Sequence, residues 1–157
     1  MKTLNLLIFK ISAENFVVEI DNLIQIIRYL KPTPIPKTPD YIEGIIVLRN
    51  MVIPVINLKK RLFESSQELE KKPKIFIAKV DELTLGFKVD ELHKIISIEE
   101  DKVLPPPPQI PGMSVDFIKG VIEIQNNVYL FLDIKKCISK EEMAILKNLK
   151  KEEKVKL

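Results

Sequence analysis

The sequence predicts an all-β protein made of two small five-stranded barrels in tandem, closed by a short C-terminal α-helix. Three observations predict it. Short runs dense in Val, Ile, Leu and Phe recur along the 157 residues, separated by polar breaks, which is the pattern of strands joined by turns. The series of runs occurs twice. Residues 85–90 answer residues 16–21 at an offset of 69, and residues 120–134 answer the run from Gly44 at an offset of 76, so one seven-residue insertion restores the match on both sides. Such a match marks an internal repeat. Each copy of about five strands is too short to enclose a large core alone, and small antiparallel sheets close into barrels to remove their edges.

Residues 6–11 read as the first strand, 12–15 as its turn and 16–20 as the second strand. Asp21 is placed to cap a short helical turn through Leu23 and Ile24, with an extended run over 25–29. Pro32, Pro34, Pro36 and Pro39 then stiffen the connection. A hairpin follows, with strands 45–49 and 52–58. Asn50 tolerates the positive φ that a tight turn demands, and Pro54 has no N–H to give a ladder, so the second strand should lack a partner there. Arg49 stands out as a permanent cation at the end of an apolar strand. A partly buried Arg needs an anion or carbonyls, so it is either a structural clamp or a docking contact. Residues 59–63 read as a helical or turn closure and 64–72 as a polar linker.

The second copy opens with a strand over 75–80 and replaces the first connection with Pro105 to Pro108 and Pro111. The approximate boundaries are 6–63 for the first barrel, 75–139 for the second and 140–157 for the helix and tail, within one unit spanning 1–157. The termini leave room for strand exchange between the halves. Ser139, Lys140, Glu141 and Glu142 form a capping box. Met143, Ile145, Leu146 and Leu149 follow at helical spacing, and the helix should fray from Lys150.

Composition excludes several function classes. A net charge of +3 does not argue for nucleic acid, which wants a concentrated basic patch. Cys137 is the single cysteine, so there is no internal disulfide and no cysteine metal site. Its place in the repeat is that of Arg61, which suggests a partly exposed thiol. His93 is the single histidine and reads as exposed on a helical turn, without the Ser or Cys partner of a nucleophilic site. No Gly-rich phosphate loop is present. The reading is a protein without catalytic residues, cofactor or metal. With no signal peptide and no apolar run of spanning length, it is expected to be soluble and cytoplasmic.

The run from Gly44 to Leu58, Gly-Ile-Ile-x-Leu-Arg-x-x-x-Ile-Pro-Val-Ile-x-Leu, resembles the core motif of the CheW family of chemotaxis coupling proteins. Thr38-Pro39-x-Tyr41-Ile42, Gly86-x-x-Val89-Asp90 and Ser139-x-Glu141-Glu142-Met143-Ala144-x-Leu146 resemble it as well. The resemblance covers residues 6 to about 150 in one register. It implies two SH3-like five-stranded barrels and a binding role: linking the cytoplasmic tips of chemoreceptors to the regulatory domain of the histidine kinase CheA, with recruitment to membrane receptor arrays and no insertion into the membrane. It places Arg49 and Gly44 at family positions, and Leu23, Ile26 and Ile53 near a groove between barrels. Gln25 stands where many members have Glu, Asn50 where the turn usually has Gly, and Asn57 where Asp is frequent. The receptor- and kinase-binding set expected from the resemblance is therefore Leu23, Gln25, Ile26, Gly44, Arg49 and Ile53. An alternative reading is a double-barrel nucleic-acid binder, which needs aromatics interleaved with basic residues on one face. Here Phe9, Phe76 and Phe131 sit inside apolar runs that read as core.

Overall fold

The structure, a computed structural model, describes residues 2–63 and 72–155, with side chains as far as Asn148. Its strands are β1 (Thr3–Ile11), β2 (Glu14–Glu19), β3 (Leu23–Arg28), β4 (Ile42–Leu48), β5 (Met51–Asn57), β6 (Lys74–Val80), β7 (Leu83–Val89), β8 (Glu91–Glu99), β9 (Ile118–Ile124) and β10 (Asn127–Leu132), with helices α1 (Leu58–Leu62) and α2 (Lys140–Val155). The expected linker over 64–72 falls almost wholly outside the described residues.

The strands form two five-stranded sheets. Sheet I has the order β8-β1-β2-β10-β9 and sheet II the order β3-β6-β7-β5-β4. Replacing each strand by its counterpart in the repeat turns one order into the other, so the halves are related strand for strand. The halves also exchange strands. Each sheet takes two strands from one half and three from the other, the exchange for which the termini leave room. The physical reason lies in the neighbours of β2 and β7. Both edges of β2 are taken, by β1 antiparallel and β10 parallel, and both edges of β7 by β6 and β5. The chain leaving either strand has no free edge beside it and crosses to the rim of the other sheet.

This exchange builds three cores. Leu4, Leu6, Ile8, Val17, Ile122 and Phe131 pack inside sheet I. Ile46, Ile53, Val55, Ile75 and Ile77 pack inside sheet II. Between the sheets lies a larger core that includes Leu7, Phe9, Ile11, Phe16, Val18, Phe76, Leu85 and Phe87. Strands β1, β2 and β6 are apolar in consecutive positions because alternate side chains enter different cores. Phe16, Phe9, Phe76 and Phe87 form a chain of ring contacts across the interface, at centroid spacings of 5.4, 5.6 and 5.2 Å. Such pairs contribute about 0.5–1.5 kcal/mol beyond burial.

Gly44 and Gly120 close the sheet rims. A Cβ at Gly44, where φ is +144°, would stand 2.1 Å from the Thr33 carbonyl oxygen, and one at Gly120 would meet Val103 at 2.5 Å. The missing side chains let the Pro-rich connections bridge the edge strands, Thr33 to Ile45 and Leu104 to Val121, which protects edges that would otherwise be open.

Near the relation between halves sits Arg61. Its Nε donates to the carbonyl of Cys137, its own counterpart in the repeat. Its guanidinium lies 4.5 Å from the Tyr41 ring and 4.8 Å from that of Phe117, again counterparts, and 3.4 Å from Glu142. The capping box forms as read: Glu142 accepts from the Ser139 N–H at 2.7 Å and donates its own N–H to the Ser139 hydroxyl at 3.1 Å. Burial works against ionising Glu142, but the Tyr41 hydroxyl, the Ser139 donors and the Arg61 charge together hold its carboxyl below the usual range. Tyr41 acts on it from outside hydrogen-bond geometry, for the Tyr41 hydroxyl is buried without a partner among the described residues. Burial first, and then Glu142, push the Tyr41 phenol well above its ordinary value.

Three local expectations change. Leu23 begins β3 and pairs with Ala78 instead of joining a helical turn, because the exchanged strand needs its backbone for the ladder. His93 lies on β8 for the same reason, though it is exposed as expected. Cys137 is fully buried, and burial pushes its thiol up. Helix α2 spans Lys140–Val155, beyond Lys150, with Leu146 buried and Ile145 exposed. At Pro54 the expected gap is present: the ladder from β5 to β7 starts at Val55.

Candidate partner-docking surface

The hairpin β4–β5 turns at Arg49 and Asn50, with φ of 51° and 64°. Two successive positive φ values fit a type I′ turn, whose twist matches the strands it joins. Strand β4 therefore ends at Leu48, one residue before the sequence reading placed its end, and Arg49 occupies the turn. Its side chain is exposed, and no ion pair forms to it among the described residues. The burial that would have required an anion clamp is absent. Asn or Gly at this φ would be less strained, so the cation is held where a cheaper residue would close the same turn.

Register brings three features to one end of sheet II. Val55 lies opposite Gly86 and Leu23 opposite Ala78, so the Arg49 turn, the β6–β7 turn and the start of β3 share that end. Strand β3 is a rim strand, and alternation turns Ile24 and Ile26 outward, 55% and 44% exposed. Gln25 takes the inward face near the mouth of the sheet. Between the sheets, beside the β2–β3 crossing, a groove of about 340 Å³ has Ile20, Leu23, Phe76, Ala78 and Leu132 in its wall. Two ion pairs stand at its rim, Lys119 to Glu19 at 2.7 Å and Lys135 to Asp81 at 2.9 Å.

The expected binding residues thus divide. Arg49, Ile26, Gln25 and Leu23 reach this end of the molecule. Gln25 and Arg49 make no hydrogen bond to one another among the described residues; Gln25 pairs with Ile77 along β6. Ile53, 2% exposed, lies within sheet II, and Gly44 lies under the Thr33–Pro34 backbone. Both positions are packed in this structure, Ile53 by its inward strand position and Gly44 by the close approach of the Thr33 backbone. Sequence reasoning missed Ile24, Val47 and Met51, which are exposed on sheet II. The alternation of Ile24 and Ile26 about Gln25 was the available signal for Ile24.

At the opposite end of sheet II a polar network closes the interior. Glu43 Oε1 accepts from Asn57 Nδ2 and Lys88 Nζ, both at 2.9 Å, and Glu43 Oε2 from the Tyr29 hydroxyl at 3.1 Å. Asn57 Oδ1 also caps α1 through the Lys60 N–H. The amide that replaces a frequent Asp therefore donates and accepts at once, which an aspartate could not do.

A family model described as the CheW-like domain matches residues 5–142. The chain belongs to this family. It is 32% identical over 148 residues to the chemotaxis protein CheW of Treponema pallidum, covering 92% of this chain and 87% of the relative. Against that of Thermotoga maritima it is 30% identical over 148 residues, covering 92% and 93%. The crystal structure of the scaffolding protein TtCheW from Thermoanaerobacter tengcongensis superposes with a TM-score of 0.80 at 29% identity, covering 88% of this chain and 94% of that one. The CheW fold thus accounts for the paired sheets and the C-terminal helix. Nothing favours the nucleic-acid reading: Phe9, Phe76 and Phe131 are buried and offer no stacking platform.

Proposed function

We propose that this CheW-family chain is a non-catalytic adaptor that couples the cytoplasmic tips of chemoreceptors to the regulatory domain of the histidine kinase CheA. The observation that carries the reading is one end of sheet II, where the exposed Ile24 and Ile26, the strained Arg49, without an ion pair among the described residues, and the Leu23 groove lie together. Apolar side chains set beside a cation and a polar rim are the composition of a protein interface. The groove takes the receptor tip, and Arg49 supplies a charge-assisted contact. The reading requires no cofactor, metal or catalytic step. It places the protein in the cytoplasm, recruited to receptor arrays by its partners, and no helix among the described residues is long and apolar enough to cross a membrane.

The test is a titration of the full chain with a receptor tip fragment and, separately, with the CheA regulatory domain. Saturable binding to both, weakened by Ile26→Glu with an unchanged melting temperature, is the expected result. Binding to neither partner would overturn the reading.

A further inference from the structure

The sheet I counterpart of the docking end carries different chemistry. Inward positions of sheet I are apolar through Leu6, Ile8, Val17 and Phe131. Towards the β1–β2 turn the same faces become polar. Lys10 on β1, Asn15 on β2, Asn127 and Tyr129 on β10 and Lys94 on β8, with His93 beside it, surround a concave mouth of about 380 Å³ floored by Ile8.

The mouth is lined by donors and holds no carboxylate. The nearest acid, Glu91, lies directly opposite Lys10 in the β1–β8 ladder, at the edge of the mouth. Glu91 stands 3.7 Å from the His93 imidazole and is itself well exposed. Asp90 takes Lys59 at 3.0 Å and the Ser12 N–H at 2.8 Å. Glu14 is exposed at the head of β2. Two ammonium groups on neighbouring strands repel each other unless an anion lies between them. The repeat sharpens the point. The sheet II counterparts of Lys10, Asn15, His93, Lys94, Asn127 and Tyr129 are Lys79, Thr84, Ile24, Gln25, Met51 and Ile53. Of the two lysines, only Lys10 keeps a cation at its counterpart, so the second cation and the ring of amides belong to sheet I alone.

We propose that this mouth binds a small multivalent oxyanion of the phosphate class. A single carboxylate would occupy a fraction of the volume and meet donors from one side. A tetrahedral phosphate has acceptor oxygens in every direction, and here Lys10, Lys94, the two Asn amides and the Tyr129 hydroxyl converge from four strands. The same chemistry is presented by free phosphate and by a phosphomonoester lipid headgroup.

The experiment titrates inorganic phosphate into the isotopically labelled full chain at constant ionic strength, following amide resonances. The expected result is saturable one-site binding with shifts centred on Asn15, His93 and Asn127. A double variant, Lys10→Gln with Lys94→Gln, should melt normally and bind at least tenfold more weakly, while Lys79→Gln binds as the parent does. Sedimentation with vesicles containing phosphatidic acid, against phosphatidylcholine alone, separates the sources. Vesicle binding lost in the double variant, without binding of free phosphate, assigns the anion to a headgroup. Shifts that do not saturate, or that persist in the double variant, together with no such vesicle binding, mean an adventitious ion only and overturn the proposal.

Discussion

The β7–β8 crossing and the β2–β3 crossing are the same junction built twice, and they differ in whether they are shut. At the first, Lys59 of α1 is drawn into the structure, 5% exposed, and pairs with Asp90 at 3.0 Å, while Asp90 also accepts the Ser12 N–H of the β1–β2 turn. At the second, the counterpart Lys135 turns outward to Asp81, both largely exposed, and a groove opens where the first junction is filled. A second pair makes the same point. Glu43 with Lys88 in sheet II and Lys119 with Glu19 in sheet I occupy matching positions with the charges interchanged. The repeat preserves the places where two side chains must meet and leaves their polarity and burial free to diverge. One copy of the junction can therefore serve stability while the other stays open for a partner.

The largest expected effect breaks the closed junction. Asp90→Ala takes one ion-pair partner from the buried Lys59 and the acceptor from the Ser12 N–H, so it should cost ~1.5–3 kcal/mol, the range for a hydrogen bond to a charged group. Lys135→Ala at the open junction should leave the melting temperature unmoved, because its pair is exposed and screened. Paired thermal melts check this; equal losses at the two sites would mean that burial does not distinguish the junctions.

A second comparison sets Arg49 against Gln125, its counterpart at the β9–β10 turn with φ of 50°. Both turns are strained alike, so Arg49→Asn and Gln125→Asn should each leave stability level or slightly raised. Only the first should weaken partner binding, by ~1–3 kcal/mol for a lost charge-assisted contact. A titration and a melt on the same variants separate docking from turn formation. An unchanged dissociation constant for Arg49→Asn with both partners would remove Arg49 from the interface.

The two helix caps offer a smaller contrast, in pH. Asn57 caps α1 with a neutral amide, whereas Glu142 and Ser139 close the start of α2 with a carboxylate. Because the folded Glu142 value lies below the unfolded one, its contribution is complete above the unfolded carboxyl range, about pH 4.3. It fades as pH falls through the lower folded value. Glu142→Gln should therefore destabilise by ~1 kcal/mol at pH 7, and the gap should close on acidification. A gap that stays constant down to pH 2 would show that the carboxylate's charge has no part in the cap.

Much of this architecture was legible in the sequence, and the failures share a cause. Strand count, repeat, hairpin turn, Pro54 gap and capping box all follow from local chemistry: β-branched runs, a turn residue that accepts positive φ, a missing N–H, a Ser and Glu three residues apart. The strand exchange was not legible as such, because the periodicity within β3 or β8 is identical whichever sheet receives it. The errors at Leu23, His93 and Cys137 follow from that exchange and from the contact between counterpart residues near Arg61. Of the expected site, Arg49 and Ile26 were marked by a cation in an apolar run and by a resemblance, and both lie on the surface. Gly44 and Ile53 are buried, and a motif position reports constraint without saying whether packing or binding imposes it.

The smallest effect tests Tyr41 against its counterpart Phe117. The two rings flank the Arg61 guanidinium at nearly equal distances, but only Tyr41 carries a hydroxyl, and that oxygen is buried without a hydrogen-bond partner among the described residues. An unpaired buried hydroxyl opposes folding, whereas the ring face that Arg61 uses is common to both residues. Tyr41→Phe should thus be neutral or stabilising by up to ~1 kcal/mol at pH 7. The raised phenol adds a second signature. Its contribution to stability is complete below the unfolded value near pH 10 and is lost as pH rises towards the higher folded one. The variant should therefore lose less stability than the parent above about pH 10, where the buried Cys137 thiol and the Lys135–Asp81 pair also contribute to the decline. Melts at pH 7 and above pH 10 measure both. If Tyr41→Phe instead lowers stability at pH 7 by more than the ~1.5 kcal/mol typical of one hydrogen bond, the hydroxyl is bonded to Glu142 in solution and the asymmetry between the two rings is functional to the cap.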